Sequence, residues 1–139
     1  MSLTIHFINK TNYGADVAVG EVALDDFVER FEASLIFWDT DRYESQWRQG
    51  IDRLLDGAPK SCLITSILEP KYEHFGTWWV LYRDGQQVLV QNQLLLLDVF
   101  GSGFDPDQPY ASIRDRVSLC AEGERISEWS INFDDIGRL

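Results

Sequence analysis

The chain has 139 residues, of which 45% are hydrophobic and 13% are aromatic, and its formal net charge is −11. This length suits a single domain over residues 1–139, and the composition excludes an intrinsically disordered chain because enough apolar surface is available for a core. The acidic balance argues against direct binding to nucleic acids or anionic membranes, whose charge would repel it. It favours a basic partner, although charge that serves only solubility is the other interpretation.

Acidic residues are concentrated in two segments. Residues 16–56 hold eleven acids against four Arg, and residues 101–139 hold eight acids against four Arg. The two cysteines, Cys62 and Cys120, each lie in an apolar run, which is typical of small buried thiols. No signal peptide and no apolar run of membrane-spanning length are recognised, so we expect a cytoplasmic protein with free thiols.

The first third of the chain mixes strand and helix signals. Residues 2–9 alternate between apolar and polar side chains, which predicts a strand, whereas residues 15–22 fit either a second strand or an irregular segment. Asp25 and Asp26 are predicted to cap a short helix whose apolar residues recur at helical spacing, namely Phe27, Val28, Phe31 and Leu35.

A second helix is predicted after residue 39. Asp39 or Thr40 serves as its N-cap, and its apolar face consists of Tyr43, Trp47, Ile51 and Leu54. The sequence Gly57-Ala58-Pro59 is expected to end it.

From residue 61 onward the pattern changes to strands. We predict strands over 62–68, 77–83 and 86–97, with a hairpin at Asp84-Gly85, and both faces of the run Leu94–Leu97 should be covered. After a loop over 101–107, the chain is predicted to form a short helix over 109–116, an uncertain strand over 117–121, a strand over 128–133 and a terminal helical turn at Asp134-Asp135. The fold class is therefore α+β: an antiparallel β-sheet with two to three helices packed on it.

Motifs for catalysis, metal binding or cofactor binding are not recognised. His6 and His74 lack a neighbouring ligand at metal-binding spacing, and Gly101-Ser102-Gly103 lacks the rest of a phosphate-binding loop. Asp105 and Asp107 lack the remaining ligands of a calcium loop. Adjacent carboxylates leave a small hydrolase open, but helix caps and turns explain them more simply. We therefore predict a binding protein without a cofactor, and not an enzyme.

The candidate partner-binding residues are acids that flank the helical region or lie in the loop, together with two aromatic anchors. They are Asp25, Asp26, Glu29, Asp39, Asp41, Glu44, Asp105 and Asp107, with Phe104 and Tyr110 as the anchors. Trp78 and Trp79 must point to opposite faces of a strand, so we expect one in the core and one half-exposed. Packing under loops is the alternative interpretation for these aromatic residues.

The order of the segments resembles the small immunity proteins of bacterial contact-dependent growth inhibition systems. The resemblance rests on the helix over 46–57, the strand over 61–68, Trp79-x-Leu81-Tyr82, residues 110–116 and the ending over 126–131. It implies a cytoplasmic inhibitor of the C-terminal toxin domain of a large secreted effector. Such toxins are commonly RNases or DNases whose active site the immunity protein often covers. The alternative from a different class is a structural or adaptor domain.

Overall fold

The computed structural model describes residues 2–10, 16–69, 75–97, 103–119 and 122–138. Its elements are β1 (Leu3–Asn9), β2 (Val17–Leu24), β3 (Phe27–Ser34), α1 (Thr40–Leu55), β4 (Lys60–Ser66), β5 (Phe75–Asp84), β6 (Gln87–Leu96) and β7 (Trp129–Asn132), with 3-10 turns at Pro109–Ser112 and Phe133–Asp135. The strands form two antiparallel sheets, β1-β2-β3 and β4-β5-β6-β7. The α+β class is confirmed, but the described residues contain one α-helix and two sheets instead of two to three helices on one sheet.

The first sheet contains the element that the sequence analysis assigned wrongly. Residues 27–34 form β3, paired with β2 from Leu24–Phe27 to Val17–Ser34, so the predicted helix after Asp25 and Asp26 is absent. Those two residues form the hairpin turn, and Asp25 adopts the left-handed conformation with φ +56°. A spacing of four residues suits a helix, but it also keeps side chains on one face of a strand. Val28, which points the other way, is 53% exposed.

Helix α1 follows the predicted pattern. The Asp39 side chain accepts a hydrogen bond from the Arg42 N–H at 2.8 Å, which confirms Asp39 as the N-cap. The four predicted apolar residues are all buried. Gly57, with φ +111°, lies just beyond the C-cap, where the chain turns towards β4.

The buried face of α1 closes the outer edge of β4. The Gln46 side chain donates to the Cys62 carbonyl at 2.8 Å and accepts from the Ile64 N–H at 2.7 Å. Trp47 Nε1 donates to the Ile64 carbonyl at 2.7 Å. A Cβ on Gly50 would lie 2.3 Å from the Cys62 carbonyl oxygen, so this close approach requires glycine. Side chains of α1 thus satisfy backbone groups that an edge strand would otherwise leave unpaired.

The second sheet is covered on both faces at its centre. Asp84 pairs with Gln87 across the predicted hairpin, with Gly85 at φ +61° in the turn. Trp78 and Trp79 are 3% and 2% exposed, so the expectation that one would be half-exposed is wrong. Trp79 lies 5.4 Å from Trp129 and 6.4 Å from Phe27 of β3, whereas Trp78 lies 6.4 Å from Phe104 (all distances between ring centroids).

The leucine run at the end of β6 is not covered on both faces. Leu95 and Leu97 are fully buried, but Leu94 is 58% exposed. Strand β7 pairs only with Gln87–Val90, so it does not extend beside this part of β6. The run therefore alternates as an ordinary strand does, and the prediction of two covered faces is wrong.

The C-terminal third is more irregular than predicted. The helix predicted over 109–116 is a single 3-10 turn. In the predicted strand over 117–121, Leu119 forms an isolated bridge with Arg125, and residues 120 and 121 lie outside the described residues. The final strand and the turn at Asp134-Asp135 are confirmed as β7 and a 3-10 turn. Cys62 is buried and free, as expected, whereas Cys120 and His74 lie outside the described residues.

Candidate functional site

Four of the predicted contact acids lie near the N-terminus of α1. Asp39 is the exposed N-cap and Asp41 an exposed residue of the first turn, while Asp105 and Asp107 are exposed residues of the segment that Arg42 ties to the helix. We call these four residues the helix-start acids. The Asp107 N–H donates to Asp105 Oδ1 at 2.9 Å, so the Asp105 side chain stabilises the backbone at Asp107.

Arg42 connects the two parts of this group. Its Nη2 lies 2.6 Å from Asp107 Oδ1, and its guanidinium carbon lies 4.7 Å from the centroid of the buried Trp38 ring. The Asp107 side chain is 82% exposed, so the ion pair contributes at most about 1 kcal/mol to stability. Its main effect is geometric: Arg42 connects Asp107 to α1 through its side chain and also donates its backbone N–H to Asp39.

The two predicted aromatic anchors are less accessible than a free anchor would be. Phe104 is 4% exposed and belongs to the hydrophobic core. Tyr110 is half-buried against α1, where its hydroxyl donates to Gln49 Oε1 at 2.8 Å and the Arg53 guanidinium lies 4.1 Å from its ring centroid. Burial raises the pKa of Tyr110 to about 12. Phe104 thus packs near Trp78 and Tyr110 packs on α1, so neither ring is a free anchor.

The remaining predicted acids lie elsewhere. Asp25 and Asp26 lie at the opposite end of β3 from the segment that leads into α1, and Asp25 Oδ1 is buried with no hydrogen-bond partner. Glu44 lies on α1 but is 2.9 Å from Lys10 Nζ. Glu29 lies on the inward face of β3, where its Oε2 accepts from Asn92 Nδ2 at 3.1 Å. The structure therefore groups four of the eight acids.

A cleft between the two sheets was not foreseen from the sequence. We call it the inter-sheet cleft; it encloses about 320 Å³. It is lined on one side by β3 and on the other by β4, β5 and β6, through Glu29, Arg30, Phe31, Glu32, Thr65, Ser66, Thr77, Trp79 and Asn92. These residues come from four strands, and the most distant of them, Glu29 and Asn92, are 63 positions apart in the sequence. The sequence signal for Glu29 was the alternation of side chains along β3, which the sequence analysis assigned to a helix.

The carboxylates offer little that resembles a catalytic or metal centre. Within the described ranges, no three His, Cys, Asp or Glu side chains are close enough to hold a metal ion. Burial raises the pKa of the Cys62 thiol far above its ordinary value, which disfavours the reactive thiolate.

Among the residues that the structure describes, no helix is long and apolar enough to cross a membrane.

Comparisons with known proteins agree on one family. The family model described as the CdiI N-terminal domain matches residues 33–139. The immunity protein CdiI of Enterobacter cloacae subsp. cloacae is 28% identical over 123 residues, which cover 88% of this chain and 84% of that protein. A chain of the CdiA-CT/CdiI toxin and immunity complex from Enterobacter cloacae superposes with a TM-score of 0.84 at 27% identity, covering 95% of this chain and 91% of that one.

Proposed function

Because this chain belongs to the CdiI N-terminal domain family of immunity proteins, we propose that it binds and neutralises a cognate CdiA-CT toxin domain. The observation that carries this proposal is the similarity of nearly the whole chain to a protein solved in a toxin and immunity complex. The protein would act in the cytoplasm, as a stoichiometric inhibitor with no chemistry of its own.

We further propose that the toxin domain is a basic nuclease, an RNase or a DNase, and that the immunity protein covers its active site. The net charge of −11 supports a basic partner, because opposite charge accelerates encounter and favours the correct orientation. A nuclease site that holds a phosphate backbone has to present positive charge. An acidic surface placed over that site would occupy it with carboxylates in place of phosphates.

The helix-start acids are the proposed centre of the contact surface, with Glu44 beside them on α1. All four are exposed; Asp39 and Asp41 are positioned by α1 and Asp107 is ion-paired with Arg42 of that helix, which reduces the entropy lost on binding. Asp25, Asp26 and Glu29 are proposed to reach the toxin on the side of β3.

The test is a mixing experiment with the purified cognate CdiA-CT domain. We expect a one-to-one complex in light scattering and loss of the toxin's RNase or DNase activity at one equivalent of this chain. A complex that leaves a nuclease fully active would reject active-site coverage but keep binding. If no complex forms, the immunity assignment itself is rejected.

The contact surface is tested with a matched pair of charge-removal variants. Asp41→Asn, Asp105→Asn and Asp107→Asn are combined, whereas Asp39 is retained because its side chain caps α1. The control combines Asp84→Asn, Glu124→Gln and Asp134→Asn, which also removes three exposed charges. We expect the first triple variant to lose at least roughly tenfold in affinity and the control to lose less than about threefold. Equal losses would show that only net charge matters.

A further inference from the structure

The inter-sheet cleft is lined by both carboxylates and aromatic side chains. Its lining includes the buried Trp79, the half-buried Phe31 and Glu29, and the exposed Glu32. Thr65, Thr77 and Asn92 add hydroxyl and amide groups to the opposite wall. Carboxylates next to a tryptophan are the combination that binds ammonium and guanidinium groups, through ion pairs and cation–π attraction.

The two carboxylates of the cleft are not ion-paired within the part of the chain that the structure describes. Glu29 accepts one hydrogen bond from Asn92, and neither Glu29 nor Glu32 forms an ion pair with any residue that the structure describes. Arg30 also lines the cleft, but its Nε lies 3.8 Å from Glu21 of β2. Glu29 is half-buried, so a cation beside it would be attracted more strongly than by an exposed carboxylate.

An exposed apolar residue lies on the same face of the second sheet as the cleft. Leu94 lies two residues beyond Asn92 on the same face of β6 and opposite Thr77 of β5, and it is 58% exposed. Lysine and arginine side chains have an aliphatic stem below the charged group. The apolar lining residues Phe31 and Trp79 can pack against such a stem, and Glu29 in the same lining offers a carboxylate to its charged end.

We propose that the inter-sheet cleft receives a single lysine or arginine side chain of the toxin domain, with Glu29 as its main charge partner and the exposed Glu32 as the second carboxylate. This inference rests on the proposed function, and it adds a defined pocket to the broader acidic surface at the start of α1. The occupant is a protein side chain because the cleft is too small for a folded element and its charge selects a cation.

The first test compares isosteric variants in binding to the cognate CdiA-CT domain, measured by calorimetry. Glu29→Gln removes the charge from the cleft, and Glu124→Gln removes the same charge from an exposed position outside it. We expect Glu29→Gln to weaken binding at least roughly tenfold and Glu124→Gln to weaken it less than about threefold. Thermal unfolding curves of both variants establish that each is folded.

A second variant introduces a positive charge into the cleft. Asn92→Lys places a cation beside Glu29, where it competes with the toxin side chain, whereas Asn92→Gln retains a neutral amide. We expect Asn92→Lys to weaken binding at least as much as Glu29→Gln, and Asn92→Gln to bind within about threefold of the wild type.

The outcomes separate this inference from the proposed function. If the wild-type chain binds the toxin domain but Glu29→Gln and Asn92→Lys bind equally well, the cleft is not a binding pocket and the immunity function stands. If the wild-type chain does not bind the toxin domain, both proposals are overturned. Weakening by both cleft variants, with both controls unaffected, supports the inference.

Discussion

Tyr43 joins three elements through one hydroxyl group. It is fully buried, donates to the Ser34 carbonyl at the end of β3 at 2.7 Å, and accepts from the Ile67 N–H beyond β4 at 3.0 Å. Burial raises the pKa of Tyr43 from 10.0 to about 12. The neutral hydroxyl is thus part of the folded structure, whereas the tyrosinate is disfavoured there.

This shift predicts a loss of stability in alkaline solution. The unfolded chain releases the proton near pH 10 and the folded chain near pH 12, so the contribution of Tyr43 is complete below pH 10 and decreases as the pH rises towards 12. The loss over that range is about 2 to 3 kcal/mol of unfolding free energy. Urea unfolding between pH 8 and 11.5 measures it.

Tyr43→Phe serves as the control for this prediction. At pH 8 the variant should be less stable by roughly 1 to 3 kcal/mol, because the Ser34 carbonyl and the Ile67 N–H lose their partner. The difference from the wild type should then shrink as the pH rises. A constant difference across the range would contradict the assignment of the alkaline loss to Tyr43.

At the scale of the element, α1 and β4 depend on each other. The cap and the apolar face of the helix can be predicted from its own sequence. Its position against the sheet is set by Gln46 and Trp47, which form hydrogen bonds with the backbone of β4. Gln46 is 2% exposed, so its two backbone partners have no water to replace it. The sheet edge is thereby closed to pairing with another chain.

Gln46→Leu is predicted to destabilise the protein strongly although leucine fits a helix well. The Cys62 carbonyl and the Ile64 N–H would both stay buried and unpaired, which costs roughly 2 to 5 kcal/mol. Chemical denaturation gives the free energy, and hydrogen exchange at Ile64 gives the local effect. Gln108→Leu, on the exposed surface, should change stability by less than about 0.5 kcal/mol. Unchanged protection at Ile64 would show that Gln46 does not close this edge.

The same elements show what could be predicted from the sequence. Helix α1 and the hairpin at Asp84-Gly85 were predictable because their caps, periodicity and turn residues act within a few positions. Strand β3 was not, because apolar residues four apart satisfy both helical and strand periodicity. The division of the strands into two sheets could not be predicted either, because it depends on which distant segments pair with each other. The helix-start acids are exposed in the structure, but their role in binding stays a prediction, and the inter-sheet cleft was not predicted.

At the scale of the whole molecule, the charge should govern how fast a partner is found. The exposed acids at the start of α1 are part of the net charge of −11, and their electrostatic field extends about 8 Å at physiological ionic strength. For a basic toxin domain, attraction over this distance raises the association rate, whereas close contacts in the bound complex determine the dissociation rate. The two rates should therefore respond differently to salt.

Stopped-flow mixing with the cognate toxin domain tests this expectation. Between about 20 mM and 500 mM salt, the association rate constant should fall by more than roughly tenfold, while the dissociation rate constant should change by less than about threefold. The triple variant that removes Asp41, Asp105 and Asp107 should begin at a lower association rate and show a shallower salt dependence, because part of the attracting field is gone. A wild-type association rate that does not depend on salt would contradict a basic partner, whatever the affinity of the complex.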